Sequence, residues 1–296
     1  MTDTSFLATE ISTQPADWRR ALLRLDEIAG ALPRPGESVA VIGCGTSLFI
    51  AQAYAALRES ARHGVTDAWP ASEHRLSRGY DRILCLTRSG TTTEIVDVLK
   101  EDRNGVPATV ITAVPTAPVT VLAQPITLPE VDERSVVQTR FATTTLALLR
   151  ASLGHDIGLV ADQAQAIVDA TSDIFGPAAT AEQITFVGRG WTVGLAHEAA
   201  LKLRETAQLW TESYPAMEYR HGPISISRPG RVTWAFGEVP DGLADEVTFL
   251  GGHFEHADID PMADLVRIQR LCLLRAAAAG LDPDRPRGLN RSIILD

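Results

Sequence analysis

The chain has 296 residues, enough for one large domain or two smaller ones, and 45% apolar against 22% charged residues is the balance of an ordinary globular protein. A formal net charge of −10 with no basic block excludes nucleic-acid binding as the main activity. No apolar run approaches the roughly 18 residues of a membrane span, and the opening MTDTSFLATEISTQPADW carries no basic-then-apolar leader, so a cytoplasmic protein without membrane or nucleic-acid partners is expected.

In chain order, ISTQPADWRRALLRLDEIAGALP reads as an extended lead and then a helix, with Trp18, Leu22, Leu25 and Ile28 at helical spacing and Pro33 and Pro35 closing it. VAVIGCGTSLFIAQAYAAL follows as a strand over 39–42, a glycine-rich turn and an alanine-rich helix. RILCLTRSGTTTEIVDVLKED repeats that order, PATVITAVP adds a strand, and after a loop around 115–129 the stretch SVVQTRFATTTLALLRASL begins a helix. Strands alternating with helices predict parallel sheet covered by helices.

From about 158 a helix, LVADQAQAIVDATSDIF, leads to ITFVGRGWTVGLAHEAALKLRE, and this part resembles the first half. Shifted by 145 positions, Gly43 falls on Gly188, Gly45 on Gly190, Ser47 on Thr192, Ala51 on Ala196 and Ala55 on Ala200. That is the mark of an internal duplication. The second copy reads shorter: RVTWAF is a strand, EVTFLG a brief apolar piece, and a last helix covers about 262–279. The three cysteines, Cys44, Cys85 and Cys272, show no CxxC spacing and no nearby histidine cluster, so they read as reduced core residues, with no metal or cofactor expected.

Two turns carry the candidate chemistry. Thr87, Ser89, Thr91, Thr92 and Thr93 crowd between a strand and a helix, and Thr46 and Ser47 stand at the other such turn. Unpaired amides at a helix N-terminus, with small residues and neutral hydroxyl donors, suit a phosphate group at the carboxyl end of a parallel sheet. Helix capping is the alternative for these hydroxyls, although a cap needs only one. GCGTSL lacks the third glycine of a dinucleotide fingerprint and no GxxxxGK[ST] occurs, so neither nucleotide motif fits. In the second half Glu198, Lys202 and Glu205 fall on one helical face within an otherwise apolar helix. They read either as ion pairs lacing an exposed helix or as acid–base groups in a cleft. His221 precedes a Gly-Pro pair, which gives its imidazole a defined direction, for structure or for catalysis.

As an ordered set, GCGTS, TRSGTTTE, SVVQT, VGRG, HEAALKLRE, HGP and the tail DRPRGLNRSIILD resemble the phosphosugar-binding SIS domain family, and most closely its glucosamine-6-phosphate synthase isomerase half. The resemblance implies two tandem SIS-type α/β domains, the second reduced: 1–155 with the phosphosugar site, 156–279 with the catalytic helix and histidine loop, and a tail, 280–296, that closes the site. It implies that Ser47, Thr87, Arg88, Ser89 and Thr92 hold the sugar phosphate, with Arg88 where the family often has Gln, and that Thr46 and the backbone at Val136 meet the sugar hydroxyls. Glu205 would then shuttle a proton between C1 and C2 beside Lys202, with Glu198 in support, and His221 would open the sugar ring from a neighbouring subunit, so a homodimer with a composite site is implied. Two departures qualify it. A glutaminase half is missing, so activity independent of glutamine is expected, and Arg291 stands where the family has an imine-forming lysine. A guanidinium stays protonated and is no nucleophile; a role for Arg88 and Arg291 in specificity is an added expectation from charge. The reading that results is a phosphosugar isomerase-type enzyme, either an aldose–ketose isomerase or an aminosugar isomerase/deaminase. A deglycase of 6-phosphorylated fructosamines and a non-catalytic sugar-phosphate sensor remain as alternatives.

Overall fold

The computed structural model describes residues 5–101, 105–171 and 173–295. Met1 and the ends or interior of three predicted stretches, at Asp102, Ser172 and Asp296, lie outside them. By its contacts the chain divides into two compact units, a first of Ala16–Glu133, Arg140–Ile157 and Asn290–Asp296, and a second of Met1–Pro15, Arg134–Thr139 and Gly158–Leu289. In this division the N-terminal segment and 134–139 go with the second unit, as does 280–289, and 290 onward goes with the first.

The elements begin with helix α1 (Phe6–Leu22) and a short α2 (Leu25–Ile28), then β1 (Val39–Gly43), α3 (Thr46–Ser60), β2 (Thr66–Pro70), β3 (Arg82–Leu86), α4 (Thr93–Lys100), β4 (Ala108–Thr112), β5 (Gln124–Thr127) and α5 (Arg140–Ser152). The first sheet has five parallel strands in the order β2-β1-β3-β4-β5. Its central strands are buried on both faces. Ala40, Ile42, Ile83, Cys85 and Val110 form one core with Ile95, Val98 and Leu99 of α4, and the alternate residues Val39, Val41, Leu84 and Leu86 are at most 1% exposed.

The second unit continues with α6 (Ile157–Asp169), β6 (Gln183–Gly188), α7 (Thr192–Ala207), β7 (Thr211–Pro215), α8 (Ala216–Tyr219), β8 (Arg231–Phe236), α9 (Leu243–Phe249), β9 (His253–His256) and α10 (Pro261–Ala278). Its sheet is also parallel, in the order β7-β6-β8-β9. The brief apolar piece EVTFLG lies mostly in α9, and the fourth strand comes after it. Phe186 stacks against Trp234 and Phe236 at 6.3 and 6.1 Å between centroids. The Trp234 indole donates to Asp264 of α10 at 2.8 Å, which ties the central strand to the last helix.

The expected extended lead is instead helical from Phe6, through Pro15. A proline inside a helix leaves the carbonyl four residues back without its amide donor. Here the side-chain amide of Gln14 donates to that carbonyl, Ile11 O, at 3.2 Å, and to Gln269 of α10 at 2.6 Å. Asp284 caps the start of α1 by accepting from the Phe6 and Leu7 amides, both at 2.8 Å.

The duplication extends to the strand register. Val39 pairs with Thr66 and Gly43 with Pro70 in the first sheet; Ile184 pairs with Thr211 and Gly188 with Pro215 in the second, each residue displaced by the same 145 positions. No helix among the described residues is long and apolar enough to cross a membrane.

Candidate active site

The first unit holds Thr46, Ser47, Thr87, Arg88, Ser89, Thr92 and Arg291; the second holds Val136, Glu198, Lys202, Glu205 and His221. Two glycines shape the turn after β1. A Cβ on Gly43 would stand 2.5 Å from the Ser47 carbonyl carbon, and Gly45 has φ +54°. The turn thus delivers Thr46 and Ser47 straight into the first turn of α3.

After β3 the Thr87 amide still bonds to Ile111 O at 3.0 Å, and the Thr87 hydroxyl accepts from the Gly90 amide at 3.3 Å. Ser89 Oγ accepts from the amide and hydroxyl of Thr91 at 3.3 and 3.0 Å. Thr92 occupies the N-cap of α4 without a side-chain capping bond, so capping does not account for this cluster. What results is a row of hydroxyls and amides at a helix N-terminus, buried at Thr87 and Ser89 and half-buried from Thr91 to Thr93, chemistry that suits an anion.

Arg88 has its charge matched within the protein. Its guanidinium meets Glu133 Oε2 at 3.3 Å and donates to the Arg291 carbonyl at 3.1 Å, while its own carbonyl accepts from the Ala113 amide and Thr112 hydroxyl, both at 3.0 Å. The C-terminal tail lies along the same loop. Ser292 Oγ is 3.0 Å from Thr91 Oγ1 and 3.4 Å from Thr92 Oγ1, the Thr93 amide donates to Ile293 O at 3.1 Å, and the Leu295 amide donates to Thr93 Oγ1 at 2.9 Å. Arg291 donates to the Glu133 carbonyl and pairs with the Asp132 carboxylate. Asp132, Glu133 and Ser292 escape a sequence reading because an acidic loop segment and a tail serine look like solvated surface. Only burial singles out Glu133, at 1% exposure.

In the second unit, Lys202 Nζ stands 2.5 Å from Glu205 Oε2 and 3.5 Å from Glu198 Oε1. The side chains of Glu198 and Lys202 are 1% exposed and that of Glu205 17%, so this face of α7 is no solvent-laced surface. The ammonium lies between two carboxylates, and of these three side chains only that of Glu205 retains an open edge. His221 is exposed, and its imidazole hydrogen-bonds to no described residue; Gly222 at φ +132° and Pro223 opening the next turn set its direction. Of the Val136 backbone, expected to meet sugar hydroxyls, the amide donates to Asp284 O at 3.4 Å.

The duplicated turn of the second sheet is closed. Thr192, the counterpart of Ser47, accepts from the Arg189 amide at 2.8 Å and lies 3.0 Å from both Arg189 O and Phe236 O. Nearby on α7, burial and the charge of Arg204 hold the His197 imidazole below its usual value, with Nδ1 2.8 Å from Ser213 Oγ. Burial pushes the Cys272 thiol up to about 12, and burial with Glu94 pushes the Cys44 thiol up to about 11. All three cysteines are free thiols.

No family model matches the chain. The glutamine–fructose-6-phosphate aminotransferase [isomerizing] of Methanothermobacter thermautotrophicus is 27% identical over 98% of this chain and 58% of its own length. The chain thus spans little more than half of the curated relatives it matches. Among solved structures, a glucosamine-6-phosphate deaminase from Thermotoga maritima superposes with a TM-score of 0.81 at 22% identity, covering 98% of this chain and 100% of its own. The C-terminal domain of glucosamine-fructose-6-phosphate aminotransferase from Francisella tularensis does so at 0.80 and 21%, covering 96% and 99%. With two parallel sheets related by duplication and relatives of this kind across nearly its whole length, the chain is homologous to the isomerase portion of the glutamine–fructose-6-phosphate aminotransferases and shares the fold of the deaminase and aminotransferase-domain structures.

Proposed function

We propose that the protein is an enzyme acting on a 6-phosphorylated aldose, ketose or amino sugar, moving a proton between C1 and C2. The observation that carries this reading is the Lys202–Glu205 contact at 2.5 Å, with Glu205 partly open and Lys202 buried. A carboxylate held in this way can accept a carbon-bound proton and return it to the neighbouring carbon, while the ammonium beside it offsets the developing oxyanion. The isomerizing aminotransferase relative and the deaminase neighbour support this class of substrate.

In this reading Ser47, Thr87, Ser89 and Thr92 hold the phosphate, and Arg88 contributes by fixing their loop. Thr46 and the Val136 carbonyl meet sugar hydroxyls. His221 transfers the proton that opens the ring; Glu205 then removes the proton from C2 of an aldose, or C1 of a ketose, and a cis-enediol or enolamine forms and is reprotonated at the adjacent carbon. Glu198 holds the Lys202 ammonium in place. Arg291 is no imine-forming group, since its guanidinium stays protonated and is engaged by Asp132. The exposed, unengaged His221 fits donation to a second copy of the chain, and a homodimer is part of the proposal.

The test is proton NMR of the protein in heavy water with hexose and hexosamine 6-phosphates and a 6-phosphorylated fructosamine. Deuterium entering at C1 or C2, absent with Glu205→Gln, is the expected result. Saturable binding of a sugar phosphate without exchange in the wild type would overturn the enzyme reading and leave a sensor.

A further inference from the structure

Arg88 and Arg291 are joined in a closed circuit through Glu133. The Arg88 side chain pairs with the Glu133 carboxylate and donates to the Arg291 backbone; the Arg291 side chain returns to the Glu133 backbone and to Asp132. The other Glu133 oxygen, Oε1, accepts from the Arg140 amide at 2.8 Å, at the first residue of α5. Glu133 therefore joins the three: its carboxylate holds the hydroxyl loop and a helix N-terminus, and its carbonyl holds the tail. Its charge suits both the guanidinium and the helix end.

The tail in turn sets the loop. Ser292 reaches Thr91 and Thr92, the Ile293 carbonyl accepts from the first amide of α4, and the Leu295 amide donates to the Thr93 hydroxyl oxygen. Ile293, Ile294 and Leu295 are 50 to 66% exposed, so they add little apolar burial to hold the tail down. Polar bonds are what hold it in register, and those at Arg291 are the ones that include a charged pair.

We propose that Asp132 and Glu133 are positioning residues for the sugar-phosphate site: they latch the tail through Arg291, and the latched tail orders the Thr91 and Thr92 hydroxyls toward the phosphate. Arg291 on this account is neither a nucleophile nor a ligand for a substrate carboxylate. The proposal rests on the sugar-phosphate reading of the loop.

Two readouts test it. The first is the rate at which a carboxypeptidase trims the C-terminus, followed by mass spectrometry; the second is binding of inorganic phosphate by calorimetry. Asp132→Asn and Arg291→Met each remove a charge-assisted bond, for which loss of roughly tenfold or more is expected. Trimming should accelerate and phosphate binding weaken by about that factor, with Asp132→Glu restoring both and thermal stability nearly unmoved. Glu133→Gln should act in the same direction more strongly; because it unbalances the buried Arg88, the partly exposed Asp132 carries the test if that variant does not fold. Wild-type trimming rates in the variants would overturn the latch. Accelerated trimming with unchanged or tighter phosphate binding would overturn the positioning role. Wild-type protein that binds no phosphate would overturn the reading of the loop, and the proposal with it, whereas trimming still reports on the latch alone.

Discussion

Lys202 and Glu205 lie one helical turn apart on α7 with Nζ and Oε2 at 2.5 Å, and the lysine is the more deeply buried of the two. Removing the carboxylate charge should therefore cost chemistry more than fold. Glu205→Gln is expected to lower kcat by about 10² to 10⁴ with a small change in KM, since a positioned general base is worth about that much. Lys202→Met should instead destabilise the protein by roughly 3–5 kcal/mol, because it removes one partner of a buried ion pair. Chemical denaturation of both variants, set against steady-state kinetics, separates the two roles; a Glu205→Gln enzyme with wild-type turnover removes Glu205 as the base.

His221 points away from any described hydrogen-bond partner in its own chain. If it serves the site of a second copy, Glu205→Gln and His221→Ala are each inactive alone, and mixing them after dissociation should restore about one quarter of wild-type activity, the share of intact sites in randomly paired two-fold dimers. Recovery indistinguishable from zero, with mixed dimers present by native mass spectrometry, would place His221 in its own subunit's site or outside catalysis.

Gly90 has φ +64°, and a Cβ there would stand 2.4 Å from the Ala117 Cβ and 2.8 Å from Val119 Cγ2. Gly90→Ala should cost about 1–3 kcal/mol in strain and displace the Ser89 and Thr91 hydroxyls. Gly45→Ala, at φ +54° but in open space, should be milder in stability. Urea midpoints compared with phosphate affinity check the order: Gly90→Ala with unaltered phosphate binding would mean that the loop geometry does not matter to the ligand.

His197 has a folded-state value below its ordinary 6.5, through burial first and Arg204 second. The unfolded chain then takes up the proton first as pH falls. Folding stability is full above about 6.5 and declines as pH drops from there toward the folded value, since the unfolded state binds more protons over that window. His197→Gln should flatten this part of the stability profile, read from thermal midpoints between pH 5 and 8; an unchanged slope would assign the dependence elsewhere.

Which strands the sequence determined, and which it did not, follows from where they lie. β1, β3, β4, β6 and β8 are interior to their sheets and every residue but Arg231 is buried, so each is written as a nearly unbroken apolar run. The four strands missed in the sequence, β2, β5, β7 and β9, are the four sheet edges. TDAWP, QPIT, TESYP and HFEH bury at most one residue each, and so carry no such run. The loop hydroxyls and the Glu198, Lys202 and Glu205 spacing were legible because local geometry alone brings them together. The helical path through Pro15 was not, since it depends on Gln14 reaching both Ile11 O and Gln269. Nor was the Arg88, Glu133 and Arg291 circuit, whose members stand far apart in the chain and meet only when β3, the start of α5 and the tail are folded onto one another. Periodicity records what each segment buries; which distant charges share a burial site is decided by tertiary packing.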